Sequence, residues 1–494
     1  MSQEKEYRKV VKNTVTLGGA QLVQMMVTLI RAKVVAILLG TTGVGINSLI
    51  LSALSVMQQV SSVGIYQSGV REMSVIAGEY QDKTRLIKFR KIFLSLSLIC
   101  GLGGALLMIL LSPIFSLLLF NSYKHTVWLI IASLTLVFMA LHSGYGVIMQ
   151  ATQNVGLIAK ASMVGGVSGL ILAILLFYFF RIEAIIPAII LNYATFYLSF
   201  RYFEHKIGLN TVSKYTRNEF LVCSKPVLKL GVILMASMIV ATLFSFILNL
   251  FINHYGSLEE VGLYQSAASI MTQGMLIVNV ILASDFFPRI SIVHSNNIEM
   301  KKLIKQQTNI ILFIIAPISV LIISLAPIIV WLLLSPQFKP VIGLIRIMGI
   351  ALIFKSIWMM MSYIILAKGD KKSFFLFDAL LGNGINVILS IIGFYYGGLK
   401  GLAFAYLAGA IFMVTLLFSI TKKRYRCSLD INDLLKTAAL SLYIIITYLI
   451  ATKVQNTTGY CILSAVCILI MCYSLIQLNK KMDIIELIKN RFIR

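Results

Sequence analysis

Four cationic side chains lie inside stretches of sequence that are otherwise apolar. Arg31 and Lys33 fall in the first such stretch, and Arg346 and Lys355 fall in the tenth. A positive charge at the centre of a membrane costs at least about 2.5 kcal/mol, so the side chain faces a hydrated cavity or a partner unless its charged end reaches the surface. Because arginine and lysine bind phosphate well, these residues indicate the binding of an anionic, phosphorylated group.

The positions of the four cations along their helices separate them. Arg31 continues a polar helical face, whereas Lys33 lies about 200° further around the helix and closer to its outer end. Lys355 lies near the middle of its stretch, and Arg346 lies near the outer end of the same stretch. We predict that Arg31 and Lys355 face a cavity and bind substrate. Lys33 and Arg346 are further candidates for substrate binding, although we expect them to extend to the membrane surface.

Polar side chains recur at helical spacing in the first, second and eighth apolar stretches. Gln24 and Thr28 precede Arg31 at steps of four and three residues, and a polar run that includes Gln59 follows the same spacing in the second stretch. Gln273 lies in the eighth stretch. Small polar residues also let helices pack closely, so close packing and a hydrated cavity both stay open. The glutamines favour the cavity, and we predict that Gln24, Thr28, Gln59 and Gln273 bind substrate.

Three titratable groups in the apolar stretches are candidates for ion coupling: Asp285, Asp378 and His142. Both acids fall near predicted cytoplasmic ends, where we expect them to pair with basic links and not to neutralise the cations at mid-depth. A lone histidine among apolar residues is usually structural. The sequence contains no phosphate-binding Gly-Lys motif, metal-ligand cluster or nucleophile turn. We therefore predict no catalytic residue, metal or cofactor. If transport is coupled to an ion, the candidates are H⁺ and Na⁺.

The composition describes a membrane protein. Of its 494 residues 59% are hydrophobic and 12% charged, whereas a soluble domain has about 45 to 50% apolar and about 25% charged residues. A membrane helix needs about 20 mainly apolar residues, and the sequence supplies about 14 such stretches joined by short links. The predicted fold is an all-α polytopic membrane protein, which excludes a soluble enzyme.

The net charge of +25 reflects how the chain is oriented in the membrane. Most of the 43 Lys and Arg residues fall on alternate links, and positive residues are retained on the cytoplasmic side. This pattern predicts that the N- and C-termini are both cytoplasmic, and it replaces nucleic-acid binding as the explanation of the charge.

Short matches recur at a nearly constant distance along the chain. Val44–Gly45 recurs as Val261–Gly262, and Arg71 recurs as Arg289 at almost the same shift. We infer a duplication of six spans around a central cavity, with a duplication retained only for packing as the alternative. The predicted parts are an N-lobe of six spans (1–203), a cytoplasmic link (204–229), a C-lobe of six spans (230–421), and two C-terminal spans with a basic tail (422–494).

Residues 29–71 carry a family resemblance. Their buried Arg31, the link LGTTGVG at 39–45 and the closing SVGIYQSGVR at 62–71 resemble the start of polysaccharide transporters of the O-antigen flippase type. Those transporters belong to the superfamily of multidrug, oligosaccharidyl-lipid and polysaccharide exporters, which also holds lipid II flippases. The resemblance implies a pyrophosphate-binding role for Arg31. The family often has twelve spans, so the last two predicted spans depart from it.

The resemblance also implies a function. It is the flipping of an undecaprenyl-pyrophosphate-linked oligosaccharide, such as an O-antigen unit of lipopolysaccharide, from the inner to the outer leaflet of a bacterial cytoplasmic (inner) membrane by alternating access. The expected partners are this lipid-linked oligosaccharide, membrane lipids and other membrane proteins of polysaccharide assembly, with no nucleic acid. A cation-coupled multidrug extruder of the same superfamily and a glycan-polymerising or ligating membrane enzyme are the alternatives. The first needs acids in its cavity, and the second needs a large outer loop.

Overall fold

The computed structural model describes residues 3–79, 83–209, 215–453 and 457–482. These ranges are almost entirely helical, and no strand occurs in them. The predicted all-α fold is therefore confirmed. The predicted basic tail after residue 482 lies outside the described residues.

The chain divides into two compact units, Met1–Gly262 and Leu263–Arg494. Short 3₁₀ turns at Tyr123–His125 and Arg181–Ala184 interrupt the first unit. Its helices are α1 (Gln3–Ser62), α2 (Ile65–Glu79), α3 (Lys83–Phe120), α4 (Thr126–Ala132), α5 (Leu134–Ala151), α6 (Val155–Phe180), α7 (Ile185–His205) and α8 (Arg217–Tyr255).

The second unit continues the helical pattern and contains two π-helical segments, Leu282–Phe286 and Phe374–Gly382, and a 3₁₀ turn at Pro336–Phe338. The first of its helices, α9, begins at the end of the first unit. The helices are α9 (Leu258–Ile281), α10 (Phe287–Ile292), α11 (Asn297–Ser324), α12 (Ala326–Leu333), α13 (Val341–Ala367), α14 (Lys371–Ser373), α15 (Asn383–Tyr425), α16 (Ile431–Lys453) and α17 (Thr457–Met482).

Ten helical segments in the described ranges are long and apolar enough to cross a membrane. Three of them, Val23–Ser62, Val155–His205 and Lys371–Tyr425, have 40, 51 and 55 residues, and one crossing needs about 20. Each of the three is broken near its middle, at Gly40 (φ 68°), at the 3₁₀ turn after α6, or at Gly398 (φ 56°). Glycine adopts positive φ without strain, which permits the breaks at Gly40 and Gly398. With 40 to 55 residues, each segment is long enough for two crossings. The count of about 14 spans stays a prediction.

Helix α8 packs within the first unit. It contacts α1, α2 and α3, and the backbone of its Gly231 lies directly against that of Gly64. Two glycines at this point allow the helix backbones to approach more closely than any side chain would permit. The boundary between the compact units lies at Gly262, whereas the sequence suggested that the C-lobe begins at residue 230. The four-part division of the chain stays a prediction.

The two helices that follow α15 cover one face of the second unit. Both α16 and α17 pack on α11, and α16 also contacts α13. Helix α13 in turn packs against α11 and α15. The two appended spans are thus integrated with the core of this unit.

Candidate functional site

A polar cavity of about 190 Å³ lies in the first unit. Residues from α1, α2, α3, α5 and α8 line it, and none of the lining residues carries a charge. Its polar lining includes Gln58, Gln59, Ser61, Tyr66, Gln67 and Ser143. Amides, hydroxyls and an aromatic ring in one cavity suit a neutral, hydroxyl-rich ligand.

A break between two helices forms one wall of this cavity. Helix α1 ends at Ser62 and α2 begins at Ile65, because Val63 and Gly64 adopt positive φ values of 48° and 64°. On the opposite side, a Cβ atom on Gly144 would lie 2.9 Å from the Ser97 hydroxyl oxygen. Small residues at these points leave room between α1, α3 and α5.

Several of the polar groups in the cavity are free to bind a ligand. Ser61 and Ser62 donate only to carbonyl groups of their own helix, at 3.3 Å, and the Tyr66 hydroxyl donates to Gln150 at 2.8 Å. The side-chain amides of Gln58 and Gln59 make no hydrogen bond with any described residue. Because an amide group both donates and accepts, these glutamines can bind sugar hydroxyl groups.

The predicted polar face of α1 packs partly against its own unit. Gln24 lies against Gly166 of α6, and no described residue forms a hydrogen bond with its buried Oε1 atom. Thr28 donates to the backbone carbonyl of Gln24 at 2.8 Å. Arg31 is half-buried and interacts electrostatically with Tyr193 of α7, and no carboxylate in the described ranges forms an ion pair with it. Of the residues predicted to bind substrate in α1, only Gln59 lines the cavity.

Lys355 lies in a second cavity of about 400 Å³, in the second unit. Its ammonium group donates to the Tyr406 hydroxyl at 2.8 Å and lies 4.6 Å from the centre of that ring. The same cavity is lined by Trp358, Ser362 and Asp378. Lys355 therefore faces a cavity, as its depth predicted, but it has a protein partner there.

Asp378 corrects one prediction. Its carboxylate accepts hydrogen bonds from the Trp358 indole N–H at 2.7 Å and from the Ser362 hydroxyl. It therefore lines the same cavity as Lys355 and does not pair with the basic links in the described ranges. Asp378 belongs to the π-helical segment Phe374–Gly382, which changes the angular position of each residue relative to an α-helix. Asp285, in contrast, is half-exposed and pairs with Arg289 at 3.1 Å, close to the expected position.

The remaining predicted residues line neither cavity. Gln273 has a buried Oε1 atom that forms no hydrogen bond within the described part of the chain, and Lys33 and Arg346 are half-buried. His142 lies against the rings of Phe196 and Phe200, with ring centres 5.4 and 4.3 Å away. This aromatic packing agrees with a structural role for His142, and a role in substrate binding or coupling stays a prediction for each of these residues.

Two groups of residues were missed from the sequence. Ser97 and Ser143 are small polar residues in the apolar stretches of α3 and α5, and their polarity was the only available signal. Trp358 and Tyr406 gave no signal, since aromatic residues are common in membrane helices. Tyr406 is 51 residues from Lys355, and no helical spacing connects the two.

The fold is that of membrane transporters of the multidrug, oligosaccharidyl-lipid and polysaccharide exporter (MOP) superfamily. The structure of the lipid II flippase MurJ in an inward closed conformation is similar, with a TM-score of 0.68 and 17% identity over 97% of this chain and 100% of that one. An inward-facing multidrug resistance MATE family transporter has a TM-score of 0.63 and 17% identity, over 85% and 96%. A superfamily transporter from Pyrococcus furiosus has a TM-score of 0.59 and 16% identity, over 87% and 96%.

The family follows from the sequence itself. The profile of a family described as polysaccharide biosynthesis protein matches residues 34–343, which is more than half of the chain. The chain belongs to this family, and the resemblance inferred from residues 29–71 is confirmed. No curated protein sequence matches it.

Proposed function

We propose that the protein is a flippase for an oligosaccharide linked to a polyprenyl diphosphate, such as undecaprenyl pyrophosphate. The observation that carries this proposal is the uncharged cavity of about 190 Å³ lined by glutamine, serine and tyrosine side chains in a member of a polysaccharide biosynthesis family. Such a lining matches the hydroxyl groups and ring faces of a sugar.

The physical need for such a cavity is clear. A sugar has many hydroxyl groups, and each one transferred to hydrocarbon without a hydrogen bond costs about 2 to 7 kcal/mol. The free amides of Gln58 and Gln59 replace water as partners for these groups. The tail of the lipid needs no such help, because it is as apolar as the membrane.

The diphosphate needs a cation as well. Arg31 is the candidate, because it is half-buried in a membrane helix and has no described carboxylate partner. Arginine binds phosphate oxygens through two parallel N–H groups. Lys355 is a weaker candidate than its depth suggested, since its ammonium group already donates to Tyr406.

The setting of this function is also part of the proposal. The distribution of Lys and Arg supports both termini in the cytoplasm, and the family resemblance implies a bacterial cytoplasmic membrane. Movement from the inner to the outer leaflet by alternating access would supply a polysaccharide assembly system on the outer face, for O-antigen or another surface glycan. The partners are then membrane lipids and the membrane proteins that use the flipped glycan.

A cation-coupled multidrug exporter is the second candidate, and Asp378 favours it. Its carboxylate lines the cavity of about 400 Å³ in the second unit, where a cation-coupled exporter would need an acid. Asp378 also serves the first candidate if flipping is driven by H⁺ or Na⁺. The flippase and the multidrug exporter therefore differ in the substrate that they move and not in whether an ion drives transport.

The test is translocation of a fluorescent lipid-linked oligosaccharide in proteoliposomes. We expect Arg31→Gln to slow flipping at least about tenfold, because a hydrogen bond to a charged group contributes about 1.5 to 3 kcal/mol. Gln59→Ala should also slow it, and Lys124→Gln, on an exposed outer turn, should leave the rate unchanged. Export of a lipophilic cation without any movement of the lipid-linked sugar would overturn the proposal in favour of the multidrug exporter.

A further inference from the structure

A strongly basic cavity of about 630 Å³ lies in the second unit, apart from the two cavities described above. It lies between α10, α11 and α16, at the ends that the charge pattern predicts to be cytoplasmic. Four of its seven lining residues are cationic and none is acidic. The cationic residues are Arg289, Lys302, Lys305 and Lys436, and two of the other three are the amides Gln306 and Asn309.

We propose that this basic cavity binds a phosphoryl group, such as that of a phosphomonoester or a diphosphate. Lysine ammonium groups attract the charge, an arginine fork binds two phosphate oxygens, and the amide N–H of Gln306 adds a neutral hydrogen bond. Basic cavities between membrane helices on the cytoplasmic side recognise phosphorylated lipid head groups in this way. The proposal concerns binding alone, and it holds whether or not the protein flips a lipid-linked sugar.

Lys436 is held in the cavity by a contact between distant parts of the chain. Its ammonium group donates to the Asn309 side-chain oxygen at 2.8 Å. Asn309 is 2% exposed and donates to the backbone carbonyl of Lys305 at 2.6 Å. Asp433, one turn before Lys436 on α16, lies 3.8 Å away and is buried. The appended helix α16 is thus fixed so that it adds a cation to the surface of α11.

Two further carboxylates flank the basic cavity without lining it. Asp285 lies 3.1 Å from Arg289, and Asp430 lies 3.6 Å from Lys305. All four side chains are about half exposed, and exposed pairs of this kind are weak. Lys302 forms no ion pair with any residue in the described ranges. A multivalent phosphoryl group can therefore compete with these two carboxylates for Arg289 and Lys305, while Lys436 keeps its contact with the buried Asp433.

The matching place in the first unit has a similar pair of a lysine and a carboxylate. Lys305 corresponds to Lys88 when the two copies of the repeat are aligned at Gly45 and Gly262. Lys88 forms an ion pair with Glu219 at the start of α8, and Lys305 lies 3.6 Å from Asp430, directly before α16. The second unit differs because α16 also contributes Lys436 to the cavity lining.

The test measures binding to the purified full-length protein. The first arm titrates inorganic pyrophosphate into protein in neutral detergent by calorimetry. The second arm compares thermal unfolding in nanodiscs of phosphatidylcholine with unfolding in nanodiscs that also contain phosphatidic acid. The variants are Lys302→Gln with Lys305→Gln, and Lys436→Gln. The matched control is Lys301→Gln, an exposed lysine on the same helix that does not line the cavity.

We expect pyrophosphate to bind, and the double variant to weaken binding at least about tenfold. Lys301→Gln should change it less than about twofold. Stabilisation by phosphatidic acid without pyrophosphate binding would support a lipid head group as the ligand, and pyrophosphate binding alone would support a soluble phosphate. Lys302→Gln removes an exposed side chain with no ion pair among the described residues, so it tests the site without disturbing the fold. No binding in either arm, or an equal loss in the Lys301→Gln control, would overturn the proposal.

Discussion

The backbones of Gly45 and Gly262 lie in direct contact. A Cβ atom on Gly45 would lie 3.3 Å from the backbone nitrogen of Gly262, and one on Gly262 would lie 3.0 Å from the nitrogen of Gly45. Gly45 also faces the carbonyl group of Leu258, and Gly262 faces that of Thr41. Thr41 and Leu258 stand at the same shift along the chain as the two glycines. The contact is reciprocal between residues that match at one shift along the chain, and this supports the duplication inferred from the sequence.

Side chains at these two glycines should destabilise the protein. The added methyl group of Gly45→Ala or Gly262→Ala would collide with a backbone carbonyl oxygen, and overpacking of this kind costs about 1 to 3 kcal/mol. Thermal unfolding in detergent measures the effect. Gly103→Ala is the control, because no atom lies within 4 Å of its added Cβ, and it should unfold like the wild type. Equal unfolding temperatures for Gly45→Ala and Gly103→Ala would contradict the close contact.

A buried ion pair joins α3 to α7. Arg90 donates to both carboxylate oxygens of Glu204, at 2.5 and 2.8 Å, and Glu204 is 1% exposed. Glu204→Gln leaves the arginine charge uncompensated and should reduce the free energy of unfolding by about 3 to 5 kcal/mol. The matched change at an exposed pair, Asp285→Asn beside Arg289, should cost no more than about 1 kcal/mol. Chemical denaturation of both variants checks the difference.

The pair between Lys88 and Glu219 should give stability that depends on pH. The Lys88 ammonium, together with the backbone N–H of Thr216, holds the pKa of the Glu219 carboxyl below its usual value of 4.5. Because the folded pKa is lowered, the pair stabilises the fold above pH 4.5, and this contribution is lost as the pH falls through the lowered pKa.

Thermal unfolding of wild type and Glu219→Gln across this range is the measurement. The wild type should be the more stable at neutral pH, and the difference should shrink as the solution is acidified. A difference that stays constant from neutral to acidic pH would show that the Glu219 charge does not contribute.

The contact between Lys355 and Tyr406 should appear as an energetic coupling. Loss of the hydroxyl in Tyr406→Phe removes a hydrogen bond to a charged group, which contributes about 1.5 to 3 kcal/mol. In a double-mutant cycle with Lys355→Met, the two changes should deviate from additivity by at least about 0.5 kcal/mol. Tyr443→Phe, whose hydroxyl donates to the backbone of Val466, should be additive with Lys355→Met. Additivity in both cycles would contradict the contact.

Much of the fold was accessible from the sequence. Apolar composition predicted the membrane helices, because transfer into hydrocarbon depends on each residue and its near neighbours. The nearly constant shift between short matches predicted which links correspond, and the contact between Gly45 and Gly262 agrees with it. Helical spacing in the second apolar stretch also selected Gln59, which lines the polar cavity.

The partners of the polar residues were not accessible in this way. Asp378 and Lys355 line the same cavity although they come from different helical segments, and Asp378 lies in a π-helical segment whose spacing differs from that of an α-helix. The basic cavity needs Lys436, whose partner Asn309 is 127 residues away in the chain. Which charges meet depends on the rotation and packing of helices that are distant in sequence, and local spacing does not encode either.

The sequence by itself determined an all-helical membrane protein and its family, and it predicted a duplication of six spans. These properties follow from local hydrophobicity, repeated short matches and a family profile, none of which needs a contact between helices. Only the tertiary structure decided which polar groups line a common cavity and which are already satisfied by a neighbour. The physical reason is that a buried polar group depends on its partner, and the partners that matter at the cavities, such as Tyr406 for Lys355 and Asn309 for Lys436, come from another helix.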